Sequence, residues 1–126
     1  MKTFSLIALG ALGLSGSAMA AQPGAMNVYA PDPLAVAAIQ QGDLARAEAI
    51  LNSSRYEAND PVRLINLGDV YWLSGRQADA VAAWRRALAS REQYDVQTAG
   101  GRLRSTDEIA REALALHGRA VMTASN

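Results

Sequence analysis

From Leu34 onward the apolar residues recur at helical spacing, interrupted by residues that start or stop helices. The first stripe is Leu34, Ala35, Ala38 and Ile39. It follows Asp32-Pro33, where aspartate suits the N-cap and proline the first helical position, and it ends at Gln41-Gly42-Asp43. A second stripe, Leu44, Ala47, Ile50 and Leu51, predicts a helix to about Ser53, with a loop near Arg55–Glu57 after it. Asp60-Pro61 then repeats the opening device. Leu64, Ile65, Leu67, Gly68, Tyr71 and Trp72 predict a third helix, and Ser74-Gly75-Arg76 a tight turn. Ala80, Val81, Trp84, Ala87 and Leu88 mark a fourth.

These stripes repeat. Gly42 and Gly75 lie 33 residues apart, and at that offset Leu34 matches Leu67, Ala35 matches Gly68, Ala38 matches Tyr71, Ala47 matches Ala80 and Leu51 matches Trp84. The expected organisation is a tandem of helical hairpins at 32–60 and 61–93. The segment 94–105 is different. Tyr94, Val96 and Thr98 alternate with Asp95 and Gln97, Ala99-Gly100-Gly101 is a turn signal, and Arg102-Leu103-Arg104 returns. A short β-hairpin is preferred there to an irregular loop. Ser105-Thr106-Asp107-Glu108 is a capping box, with serine as cap and Glu108 reaching back. It opens a helix over 106–118 with Ile109, Ala113, Leu114 and Leu116 apolar; Gly118 is expected to stop it, leaving 119–126 as a disordered tail.

The N-terminal 20 residues follow another logic. Lys2 is basic, Leu6–Leu14 is an apolar run, and Ala18-Met19-Ala20 has the small-x-small form of an export cleavage site. The run is shorter than the roughly 20 residues a membrane-spanning helix needs. Export to the periplasm or beyond, with cleavage after Ala20, is preferred to an uncleaved anchor or a buried N-terminal helix. Residues 21–31, with two prolines and a glycine, read as a flexible lead-in.

Composition narrows the function further. Twelve basic residues balance twelve acidic ones, so no broad basic face is available for nucleic acid. The chain has no cysteine, which excludes disulfides, thiolate metal sites and cysteine nucleophiles. Lys2 is the only lysine, so the processed chain has no lysine chemistry either.

The second unit resembles the tetratricopeptide repeat through Leu64, Asn66, Leu67, Gly68, Tyr71, Gly75, Ala80, Trp84, Ala87 and Leu88. Small residues at Gly68 and Ala80 let the two helices approach, and Leu67, Tyr71 and Trp84 fill the space around that contact. The first unit matches more weakly, through Leu34, Ala35, Gly42, Ala47 and Leu51, with Ala38 in place of the tyrosine. Glu92 stands where the family's terminal proline would lead into another repeat, so the array is expected to stop there. The resemblance implies an all-α fold, an α-solenoid fragment of two hairpins, followed here by the short β-hairpin and a C-terminal capping helix. Stacked repeats usually need about three units or caps. The last helix is the natural cap, and self-association through the weak first repeat is the other solution.

The resemblance also implies a function, holding a protein or peptide in a concave groove lined by the first helix of each repeat. The matching positions are Val36, Ile39 and Gln40 in the first unit and Ile65, Asp69, Trp72 and Leu73 in the second. Trp72 cannot face the same way as Tyr71, so it either anchors a partner or is covered by the terminal segment. Arg85, Arg86, Arg91, Arg102 and Arg104 read as a solvated, salt-bridged face rather than an anion site. His117, the only histidine, suits a helix C-terminus, and no second ligand suggests a metal. No carboxylate pair, phosphate loop or nucleophile motif calls for catalysis or a cofactor. A non-catalytic adaptor is the leading expectation, ahead of a self-associating envelope protein and, last, an enzyme with its chemistry in 94–105. Neither nucleic acid nor, after leader cleavage, a membrane is an expected partner.

Overall fold

The computed structural model describes residues 5–6, 33–53, 56–98 and 100–124. Its elements, in chain order, are strand β1 (Ser5–Leu6), a 3-10 turn (Pro33–Ala35), α1 (Val36–Gln40), α2 (Leu44–Leu51), α3 (Pro61–Leu73), α4 (Gln77–Leu88), β2 (Asp95–Thr98), β3 (Leu103–Ser105) and α5 (Thr106–Ala124). Helices dominate. Two helical hairpins, a β-hairpin and a terminal helix follow one another in the expected order.

The 33-residue repeat is visible in the hydrogen bonds of its turns. Gly42 N–H donates to the Ile39 carbonyl at 3.0 Å and Asp43 N–H to Ala38 at 2.9 Å. Thirty-three residues on, Gly75 donates to Trp72 at 3.0 Å and Arg76 to Tyr71 at 2.8 Å. Both glycines sit at positive φ, 74° and 78°, the left-handed geometry in which helices commonly end. Helix starts follow the same local chemistry, with Asp43 accepting from Arg46 N–H at 3.1 Å and Asp60 from Arg63 N–H at 2.8 Å.

The first helix departs from expectation. It begins at Val36 rather than directly after Asp32-Pro33, because Leu34 and Ala35 take φ values of 61° and 57°. That region costs an L-residue about 1–2 kcal/mol. The loop after α2 and the next hairpin each supply a group that holds it in place. The Tyr56 hydroxyl accepts from Leu34 N–H at 3.0 Å, and Asn66 Nδ2 donates to the Leu34 carbonyl at 2.9 Å. Both Leu34 and Ala35 are buried, so packing offsets the strain. The second helix stops at Leu51, two residues before the expected Ser53.

The units stack in sequence, α2 on α3, α3 on α4, and α5 against α4 and α3. Arg63 fastens the junction between the repeats. Its guanidinium donates to the Leu51 carbonyl at 2.5 Å, the Ala58 carbonyl at 3.0 Å and Asn52 Oδ1 at 3.0 Å. Inside the second unit Gly68 is indispensable, since a Cβ there would lie 2.6 Å from Cδ1 and 2.8 Å from Cε2 of the buried Trp84 indole. The close approach expected of a small residue is therefore an indole lying directly on the α3 backbone.

The segment after the repeats folds as a hairpin. β2 and β3 pair antiparallel, with Asp95 opposite Ser105, Val96 opposite Arg104 and Gln97 opposite Leu103. Val96 and Thr98 are buried while Asp95 and Gln97 are exposed, as the alternation predicts. Ser105 precedes α5 and its N–H donates to Glu108 Oε2 at 3.4 Å, the reach-back half of the capping box.

Two boundaries are corrected. α5 runs to Ala124 instead of stopping at Gly118, so 119–124 is helix and not tail. Val121 packs against the cluster of Ala80, Val81 and Trp84, and that contact outweighs the roughly 1 kcal/mol a glycine costs within a helix. The second concerns the N-terminus, where part of the expected leader joins the sheet. Ser5–Leu6 pairs with β2 in parallel, Ser5 opposite Gln97 and Leu6 opposite Thr98, making a sheet of order β1-β2-β3. The remainder of 1–20, the lead-in 21–31 and Asp32 lie outside the described residues.

Candidate protein-binding surface

The groove expected from the repeats is largely filled by the chain itself. Ile65 and Val62, on the inner side of α3, are buried in one core with Leu34 from the N-terminal turn, Val96 from β2, and Ile109 and Ala110 from α5. Ile39 of α1 is buried in a second core with Ala47, Leu51, Leu67 and Val70. Asp69 is buried as well. Ile39, Ile65 and Asp69 thus serve the interior rather than an open groove. The physical reason is that the first repeat packs on one side of α3, while Val96 of β2 and Ile109 and Ala110 of α5 close over Ile65.

Of the other expected groove residues, Val36 is half-buried against these two cores, Gln40 and Leu73 are exposed, and Trp72 is half-buried. Leu73 retains 43% of its surface. Trp72 turns away from Tyr71 and lies in an aromatic group, its ring centroid 4.1 Å from that of His117 and 6.0 Å from Trp84. His117 in turn stacks on Trp84 at 5.5 Å. The terminal helix therefore covers one side of Trp72 and leaves part of it in water. Desolvation in this group lowers the His117 pKa from its ordinary value.

Asp69 is the most unusual ionisable group. Its Oδ1 accepts from the Trp84 indole N–H at 3.3 Å, while Oδ2 has no hydrogen-bond partner. Burial raises its pKa well above the ordinary 3.8, and the Trp84 bond opposes that shift only in part. One turn earlier, the Asn66 side-chain oxygen is also buried without a partner.

The arginines engage locally. Arg104 pairs with Glu112 and, at 3.9 Å, with Glu108. Arg86 donates to the Ala58 carbonyl at 3.0 Å and to Asn59 Oδ1 at 3.2 Å. Arg76 links the repeats by pairing with Glu48 at 3.0 Å and Asp79 at 2.8 Å, and its guanidinium lies 4.2 Å over the Tyr71 ring. An open cleft of about 580 Å³ lies at the end of the second repeat, where Glu57, Asp60 and Glu92 alternate with Arg86 and Arg91.

Other exposed apolar side chains lie outside the expected groove. Leu103 on β3 and Leu116 and Met122 on α5 retain 67%, 48% and 69% of their surfaces. The sequence pattern puts Leu116 on the apolar face of the last helix, but the packed face runs through Ala113, Leu114 and Val121. Its spacing from Ile109 and Ala113 was the available signal. Among the described residues no helix is long and apolar enough to cross a membrane.

Two antiparallel helix pairs, stacked in register and joined by a 33-residue repeat, define an α-helical repeat scaffold. Residues 33–53 and 61–86 match the tetratricopeptide repeat family model, and these two helix pairs are tetratricopeptide repeats. No curated protein and no solved structure matches it. Tetratricopeptide repeats serve as scaffolds for protein–protein interaction.

Proposed function

We propose that this is an exported, non-catalytic adaptor that holds a protein segment on the exposed remainder of its inner face. The observation that carries this reading is the conjunction of two tetratricopeptide units with an exposed Leu73 beside a half-buried Trp72. Gln40, 33 residues before Leu73, adds an exposed polar group at the equivalent place in the first repeat. Export rests on the basic, apolar and small-x-small pattern of residues 1–20. The test is in-cell photo-crosslinking from positions 73, 40 and 82. Adducts with one polypeptide from Leu73 and Gln40, and none from the exposed Ala82 of α4, are expected. Equal trapping from all three, or none, overturns the reading.

The exposed Leu116 and Met122 on α5 support a second reading, self-association of the capping helix. Sedimentation on dilution separates the two. A monomer that persists at the highest concentration of the dilution series excludes self-stacking.

A further inference from the structure

We propose that the outer edge of β2 is a strand-accepting site. Ser5–Leu6 fills it in the full-length chain, and after leader cleavage an extended segment of the partner protein takes the place, running parallel to β2. The proposal rests on the exported-adaptor reading and adds a second, backbone-directed contact to it.

The edge is prepared by its own hairpin. Thr98 N–H donates to the Arg102 carbonyl at 2.9 Å, and Thr106 N–H to the Tyr94 carbonyl at 2.9 Å, so Tyr94 and Thr98 direct their backbone groups toward β3. Antiparallel pairing alternates, so Asp95 and Gln97 direct theirs to the opposite edge. That is the edge on which Ser5–Leu6 is seated. β2 keeps its place without β1. Val96 is fully buried in the core with Ile65 and Ile109, and the Thr106 hydroxyl accepts from Tyr94 N–H at 3.1 Å. An edge already held in strand geometry costs an incoming segment little reorganisation. Asp95–Thr98 contains neither proline nor lysine, and its one charged side chain, Asp95, lies outside the two positions that Ser5–Leu6 occupies.

The register states what fits. Positions opposite one another in a sheet share a face, and Thr98 is buried while Gln97 is exposed. An occupant therefore needs an apolar residue opposite Thr98 and a small or polar one opposite Gln97, and the leader carries Leu6 and Ser5 at those positions. Cleavage after Ala20 removes this strand and opens two backbone positions, beside a sheet face that already exposes Leu103. Residues 21–31 are a poor replacement because Pro23, Gly24 and Pro31 disfavour a strand.

The test uses the exported, processed protein and a fluorescent synthetic peptide of leader residues 2–11. Saturable binding is expected, weakened at least tenfold by Gln97→Pro, which removes the outward N–H and leaves the β3 bonds intact. A photo-crosslinker at position 97 should join the peptide near its Ser5 position, independently of whether the proline variant folds. In cells, the same crosslinker should trap the polypeptide captured from position 73. No saturable peptide binding, adducts with a second copy or with residues 25–30 of the same chain, or a leader retained after export each overturn the proposal. A partner trapped from position 73 but never from 97 leaves the adaptor reading standing and removes the strand site.

Discussion

The two repeats share their turns and differ in almost everything else. Gly42 and Gly75 have the same backbone geometry and hydrogen bonds, yet the first unit has helices of 5 and 8 residues and the second of 13 and 12. Where the second places Gly68 against Trp84, the first places Ala35 and Leu51. Where the second buries Asp69, the first has a half-buried Val36. A turn is decided by a few local residues and survives sequence drift. Helix length and interior depend on neighbours, and among the described residues the second unit is packed on both sides, by α2 and by α5. The weak match of the first unit to the family pattern is thus a difference of packing more than of path.

The sharpest break in this comparison is Gly68→Ala. The added methyl meets the Trp84 ring, and a loss of about 3 kcal/mol is expected in urea unfolding, at the upper end of overpacking costs. The same position of the first unit already carries an alanine. A loss below 1 kcal/mol would mean that the indole moves freely and that the close approach is not a constraint.

Asp69→Asn should act in the other direction. Asparagine keeps an acceptor for the Trp84 N–H and removes a carboxylate that burial disfavours, so a gain of about 1–2 kcal/mol is expected at pH 7. The native carboxyl holds its proton more tightly than the unfolded one. Its stabilisation is therefore fully present below the ordinary 3.8 and is lost as pH rises through the higher native value. The advantage of the variant should grow over that window and vanish in acid. His117 has the opposite sign. Its native pKa is lowered, so its contribution is lost as pH falls through the ordinary 6.5, in wild type and variant alike. Thermal unfolding from pH 3 to pH 8 checks both, and an Asp69→Asn protein less stable than wild type at pH 7 would contradict the account of Asp69.

The smallest effect tests what the repeats have in common. A Cβ at Gly42 or at Gly75 meets nothing within 4 Å, so each Gly→Ala change carries only the left-handed backbone cost, about 1 kcal/mol. Equal losses in chemical unfolding are expected at the two sites. Losses differing by more than about twofold would show that the turns are not equivalent.

Much of this architecture was legible before the fold was known. Asp60-Pro61, Gly42, Gly75 and Ser105-Glu108 act through bonds to residues three to five positions away, and the alternation of Val96 and Thr98 sets the face of β2. The candidate surface was less legible. Gln40 and Leu73 are exposed as the repeat pattern implies, but Ile39, Ile65 and Asp69 are buried. What covers Ile65 includes Leu34, whose left-handed backbone has no local signature, and Val96 and Ile109, more than thirty residues along the chain.

The sequence by itself determined two helical hairpins in tandem, their turns, the starts of the helices after the first, and a hairpin and helix to follow. Periodicity and capping are short-range and are written in neighbouring residues. The tertiary structure alone decided how much of the inner face stays open, that α5 continues past Gly118 to pack Val121, and that His117 and Trp84 stack with Trp72. These outcomes depend on which distant surfaces meet and bury area together, and a pattern read along one strand of sequence does not carry that sum.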